Sequence, residues 1–130
     1  MKTISVPTKS RCCFVDITSE VVRAIQESSV REGLAIVFVP HTTAAVTINE
    51  NADPSVRRDV LDHLSRAVPD SASYDHEEGN SPAHIKASMM GSSVTVIVSG
   101  GRPVLGTWQG VYLCEFDGPR TRNVFIEVRA

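Results

Sequence analysis

The chain has 130 residues, 42% of them apolar and 22% charged, and a formal net charge of −2. A chain of this length forms one domain, residues 1–130, that buries roughly two thirds of its unfolded surface, and the composition excludes disorder and a long basic nucleic-acid surface. No apolar run approaches the roughly 18 residues that cross a bilayer, and Met1-Lys2-Thr3-Ile4-Ser5-Val6 lacks the apolar core of a signal peptide, so a cytoplasmic protein with no membrane or nucleic-acid partner is expected.

Residues 2–7 and 11–17 are rich in strand formers, and the turn Pro7-Thr8-Lys9-Ser10 between them predicts a hairpin. The period then changes. Val21, Val22, Ile25 and Val30 fall near one face of a helix from Thr18 to about Arg31, with Thr18 or Ser19 as cap and Gly33 as its left-handed end. Leu34 to Val39 is apolar at every position, as a central strand covered on both faces would be, and it delivers His41 to its end. Ala44, Val46 and Ile48 alternate along the next strand, leaving Asn49-Glu50-Asn51 at its far end.

Asp53-Pro54 starts a second helix, because the carboxylate caps free amides while proline occupies the first helical position. Val56, Val60, Leu61, Leu64 and Val68 give it a buried stripe that stops at Pro69. Residues 70–80 are acidic and without period, and read as a surface loop of functional length. Ser81-Pro82 opens a short helix that Gly91 closes after Met90, with His84 in its first turn. Strands follow at Val94 to Val98, at Trp108 to Phe116, and along Val124, Ile126 and Val128, so the order is β, β, α, β, β, α, short α, β, β, β.

Three of the four histidines stand where chemistry is often placed: His41 after a strand, His76 in the acidic loop and His84 at a helix start. Their spacing matches no standard zinc motif, yet three imidazoles drawn from separate segments, with a water in an open position, would hold a catalytic zinc or other transition metal, whereas magnesium would fall to the carboxylates Glu50 and Asp53. Glu50 lies just beyond a partly buried strand, where a carboxylate needs a partner, a cation or a catalytic role. Arg120 and Arg122 follow a Gly-Pro turn, and guanidinium forks suit phosphate and carboxylate. Cys12, Cys13 and Cys114 lack a Cys-x-x-Cys spacing and read as reduced thiols. Neither a phosphate loop nor a Gly-x-Ser-x-Gly elbow is present.

Taken together, His41-Thr42-Thr43-Ala44, Asn49-Glu50-Asn51-Ala52-Asp53, the spaced His76 and Asn80, His84-Ile85-Lys86-Ala87-Ser88, Leu105-Gly106-Thr107-Trp108-Gln109, and Glu115-Phe116-Asp117-Gly118-Pro119-Arg120-Thr121-Arg122 resemble the YjbQ-like family over nearly the whole chain. The resemblance implies an α+β fold, a two-sheet β-sandwich with two main helices and one short helix, assembled as a homotrimer with clefts between subunits. It implies a small-molecule enzyme, with a secondary thiamine-phosphate synthase activity that joins a pyrimidine diphosphate to a thiazole phosphate. On that reading Glu50, His41, Asn51 and Asp53 are catalytic candidates, His41, His76 and His84 metal ligands, and Arg120, Arg122, Lys86 and Gln109 contacts to a small phosphorylated molecule. Two alternatives stand beside it: a metal-dependent hydrolase of another substrate, and a trimer that binds a small anion without catalysis.

Overall fold

The alternating segments become strands and the 3.6-period segments helices. In a computed structural model that describes residues 1–130, the chain runs β1 (Lys2–Pro7), β2 (Cys13–Asp16), α1 (Thr18–Ser28), β3 (Glu32–Phe38), β4 (Ala44–Glu50), α2 (Pro54–Ala67), α3 (Ser81–Met90), β5 (Ser93–Ser99), β6 (Arg102–Pro103), β7 (Gln109–Glu115) and β8 (Thr121–Arg129). The strands form two antiparallel sheets, a large one ordered β1-β8-β3-β5-β6 and a small one ordered β2-β7-β4. This is the expected α+β architecture with two sheets and three helices.

Two apolar clusters hold the layers together. Between the sheets, Ala35, Val37 and Val39 from β3 and its end meet Val46 from β4, Val111 and Leu113 from β7, and Val124 and Ile126 from β8. Helix α1 adds Val21, Ala24 and Ile25 to the same cluster. On the far side of the small sheet, α2 and α3 cover Ala45, Cys114 and Phe116 with Leu64, Ala83 and Ala87. The small sheet is therefore buried on both faces, and burial of each Val, Leu or Ile in it contributes about 1.5–3 kcal/mol. The outer face of the large sheet has no such cover in a single chain. Leu34, Ile36, Phe38 and Ile97 stand exposed there.

The structure corrects several expectations. No hairpin joins β1 to β2: β1 pairs with β8 and β2 with β7, in different sheets. Helix α1 ends at Ser29, which itself takes the left-handed conformation at φ 61°, and not at Gly33. Gly33 has a different task, because a Cβ there would lie 1.9 Å from the Arg129 carbonyl oxygen across the β3–β8 pair. Asp16, not Thr18 or Ser19, takes the first free amide of α1, accepting from the Thr18 N–H at 2.9 Å. The Thr18 hydroxyl instead accepts the Val111 N–H at 2.9 Å, tying the helix to β7. Strand β3 is covered on one face only, and the turn after β5 contains the two-residue strand β6.

Candidate functional site

Three segments build the site: the β3–β4 connection, the loop before α3, and α3 itself. Pro40 stops β3, which turns the chain away from β8 and leaves His41 half-buried between the sheets' edges. Asn80 precedes α3, whose Ser81-Pro82 start puts His84 in the first turn. Loop residues 70–80 carry no helix or strand and bring His76 back over that turn. The His76 and His84 rings meet edge-on with centroids 5.2 Å apart.

His84 stands between two adjoining lobes. One, a cavity of about 410 Å³, is lined by His41, Thr42, His84, Ser88 and Ser92 with the small residues Ala44, Ala87 and Gly91. No carboxylate reaches that lining. The other, of about 340 Å³, is lined by Tyr74, Asp75, His76, Ser81, His84 and Ile85. The first lobe offers hydrogen-bond donors and no negative charge, and the second offers two imidazoles and a carboxylate.

His41 is held in one tautomer. Its Nε2 accepts the Asn123 backbone N–H at 2.9 Å, so the lone pair of Nε2 is engaged and the neutral ring carries its proton on Nδ1. Burial and the nearby Arg122 charge both hold the His41 pKa below the ordinary histidine value. As placed, neither ring nitrogen of His41 has a free lone pair for a metal. Within one chain no three His, Cys, Asp or Glu side chains converge as a metal site would require. The residues of a single chain therefore do not complete a zinc-type sphere.

Behind His41 lies a buried ion pair that sequence reasoning did not find. Glu115, fully buried at the end of β7, accepts from Arg122 Nε at 2.8 Å and Nη2 at 2.5 Å, from the Thr8 hydroxyl at 2.8 Å and from the Asp117 N–H at 2.9 Å. Arg122 Nη2 also donates to Thr43 Oγ1 at 2.8 Å and to the Thr43 carbonyl at 3.2 Å. Burial pushes the Glu115 carboxyl up, but the bonds from Arg122, Asp117 and Thr8 outweigh it and leave the pKa below the ordinary value. The signal was present in the alternation: Glu115 shares a face with Val111 and Leu113, and Arg122 with Val124 and Ile126. Two opposite charges on inward faces call for each other.

The remaining candidates divide by place. Arg120, half exposed, donates through Nε to the Asp117 carbonyl at 2.8 Å and through Nη2 to its carboxylate at 3.2 Å. The same carboxylate accepts from Asn80 Nδ2 at 3.0 Å, which connects Arg120 to the start of α3. Lys86 is buried on α3, with Nζ 3.9 Å from Cys12 Sγ and 5.9 Å above the Phe116 ring, and lines neither lobe. Glu50, Asn51 and Asp53 lie at the opposite end of β4 from His41, about 20 Å away at about 3.3 Å per strand residue. There Glu50 Oε2 accepts the Ala52 N–H at 3.0 Å, Asp53 caps α2 by accepting the Ser55 N–H at 2.9 Å, and Asn51 packs on Gly110. Gln109 belongs to this end too, paired with Glu50 in register. The three histidines share one groove, and the acidic candidates do not reach it within one chain.

Comparison with known proteins identifies the family and the fold. The family described as "UPF0047 protein YjbQ-like" matches residues 2–130. UPF0047 proteins are similar to the chain in Methanocaldococcus jannaschii, at 50% identity over 95% of this chain and 89% of that one, and in Bacillus subtilis, at 49% identity over 98% of each. Among solved structures, a YjbQ/UPF0047 protein of Clostridium acetobutylicum superposes with a TM-score of 0.98 at 53% identity, covering 99% of this chain and 100% of that one. A protein of Sulfolobus solfataricus, described as of unknown function, gives 0.94 at 33% identity over 98% and 94%. In sequence along nearly its full length, and in fold, the chain belongs to the YjbQ-like UPF0047 family.

Proposed function

We propose that this protein is a small-molecule enzyme acting on a phosphorylated substrate in the two-lobed groove around His84. The observation that carries the reading is the lining of the first lobe: two imidazoles and three hydroxyl-bearing residues, with no carboxylate. A phosphoryl group is held by donors, and a carboxylate beside it without a bridging cation or proton would repel it. The second lobe, with the His76 and His84 imidazoles beside Asp75, supplies the side chains that commonly move protons and holds the part of the substrate where they do so. Joining a pyrimidine diphosphate to a thiazole phosphate is one reaction of this class, and the family resemblance favours it. Purified protein given both precursors is expected to form thiamine phosphate, with His84→Ala losing about 100-fold or more of the rate. Equal product with and without protein removes the synthase assignment.

A homotrimer fits the bare outer face of the large sheet, where Leu34, Ile36, Phe38 and Ile97 form an apolar surface of the kind subunits bury. In such an assembly Glu50, Asn51, Asp53 and Gln109 serve a neighbour's groove, which reconciles their distance from the histidines of their own chain.

A second reading rests on the edge-on His76–His84 pair with Asp75 on the same wall. It makes the protein a metal-dependent hydrolase whose remaining ligands come from a second copy. Elemental analysis of the assembled protein decides it: about one metal ion per subunit that is lost in His76→Ala favours the hydrolase, and less than a tenth of an ion removes it.

A further inference from the structure

Two consecutive residues of β8 grip the loop that carries His41. Arg122 sends its guanidinium inward to Thr43, and Asn123 gives its backbone N–H to His41 Nε2 at 2.9 Å. Strand β3 pairs with β8 from Leu34 opposite Arg129 to Phe38 opposite Phe125. Continuing that register would place Pro40 opposite Asn123. The chain turns off at Pro40, and the imidazole nitrogen takes the place of the strand carbonyl that would have accepted the Asn123 N–H. A backbone N–H cannot change from donor to acceptor, so this bond selects the ring orientation and the tautomer together. Reversing the ring would set a C–H against the N–H, and protonating Nε2 would set two donors against each other.

Of the charges around the ring, the two arginines favour the neutral form and Glu115 opposes them, with the net shift towards neutral. Arg122 and Arg120 approach from β8 and the turn before it, Glu115 from β7 is already neutralised by Arg122, and His84 faces the same lobe from α3. A second positive charge on His41 would meet the guanidinium groups, whereas an anion in the lobe would not.

We propose that His41 works as a neutral hydrogen-bond donor, its Nδ1–H presented to an anionic oxygen of the substrate's phosphoryl group, and that it serves neither as general base nor as metal ligand. This rests on the phosphorylated-substrate reading above and assigns one group its role within it. Asn123, Thr43 and Arg122 are positioning residues: they set which nitrogen carries the proton and where it sits. Preorganised neutral donors of this kind stabilise negative charge without first giving up a proton.

The test has two parts, both on the full chain. Nitrogen-15 spectra of histidine-labelled protein, free of ligand, are expected to show His41 with a protonated Nδ1 and an unprotonated Nε2 at pH 7. Inorganic pyrophosphate binding is then measured for the wild type, His41→Ala and His41→Asn, because an asparagine amide nitrogen occupies the place of Nδ1 and donates but cannot act as a base. The expected result is affinity within about threefold of wild type for His41→Asn and a loss of roughly tenfold to a hundredfold for His41→Ala. A proton on Nε2, or His41→Asn as weak as His41→Ala, overturns the donor role while leaving the groove as the anion site. No saturable pyrophosphate binding by the wild type overturns the groove reading itself, and with it the role given to His41. In that case a correct tautomer marks only the fold contact to Asn123.

Discussion

Arg122→Met removes the guanidinium from a carboxylate that has no access to water. Of its four hydrogen bonds Glu115 would keep only those from the Thr8 hydroxyl and the Asp117 amide. Breaking a buried pair by deleting one member costs about 3–5 kcal/mol, because the remaining charge stays buried without compensation. With an unfolding entropy of about 2.1 cal/mol/K per residue over the 130 residues, that corresponds to a fall in Tm of roughly 11–18 °C. Circular dichroism melts at pH 7 and pH 5 measure it. The sign of the pH effect is a second check. In the wild type the Glu115 pKa is lowered on folding, so its stabilisation is complete above the unfolded carboxylate value and is lost as pH falls towards the folded value. In the variant burial dominates and raises that pKa, so acidification from pH 7 to pH 5 recovers stability that the wild type does not gain. Glu115→Leu combined with Arg122→Met should lose less than the single variant, since neither charge remains. A Tm fall under about 4 °C for Arg122→Met, or the same pH dependence in both proteins, refutes the reasoning.

Further outcomes follow from single contacts. Gly33→Ala places a Cβ 1.9 Å from the Arg129 carbonyl oxygen and forces β3 away from β8, at a cost of about 1–3 kcal/mol or more; an unchanged denaturation midpoint contradicts that contact. The His41 pKa is depressed on folding, so the unfolded chain binds the extra proton first: this contribution to stability is complete above the unfolded histidine pKa and is lost as pH falls from there towards the folded value. His41→Gln should flatten that part of the stability profile, and an identical slope in both proteins argues against it. If the outer face of the large sheet is a subunit interface, light scattering gives three times the 14.1 kDa chain mass and Ile97→Lys, at an exposed position, lowers it; a wild type at the mass of one chain contradicts the trimer.

Helices α2 and α3 were legible because their ends are written locally. Asp53-Pro54 caps and starts one, and Ser81-Pro82 and Gly91 bound the other. Strand positions were legible for a similar reason, the period of two along Val124, Ile126 and Val128. Pairing was not, because β1 finds its partner in β8 at the other end of the chain and nothing in Pro7-Thr8-Lys9-Ser10 encodes that. Leu34 to Val39 looked buried on both faces since apolar residues fill both, yet one of those faces has no cover from its own chain. At the site, His41, His76 and His84 were singled out for their non-repetitive or terminal positions, and each lines one or both of the lobes beside α3. The separation of Glu50 from them was already written in the strand, because Ala44 to Ile48 put His41 before it and Glu50 at its far end, too far apart for one chain's pocket. The tautomer of His41 depends on one amide of β8 that no local pattern announces.

The central claim is that the groove around His84 receives a phosphoryl group. Titrating histidine-labelled protein with inorganic pyrophosphate, and following the imidazole resonances assigned by single substitutions, tests it most directly. Saturable shifts at His41 and His84, absent at the exposed His63 on α2 and abolished by Ser88→Asp, which puts a carboxylate on the lobe wall, are predicted. Shifts spread equally over all four histidines, or no saturation, would contradict it.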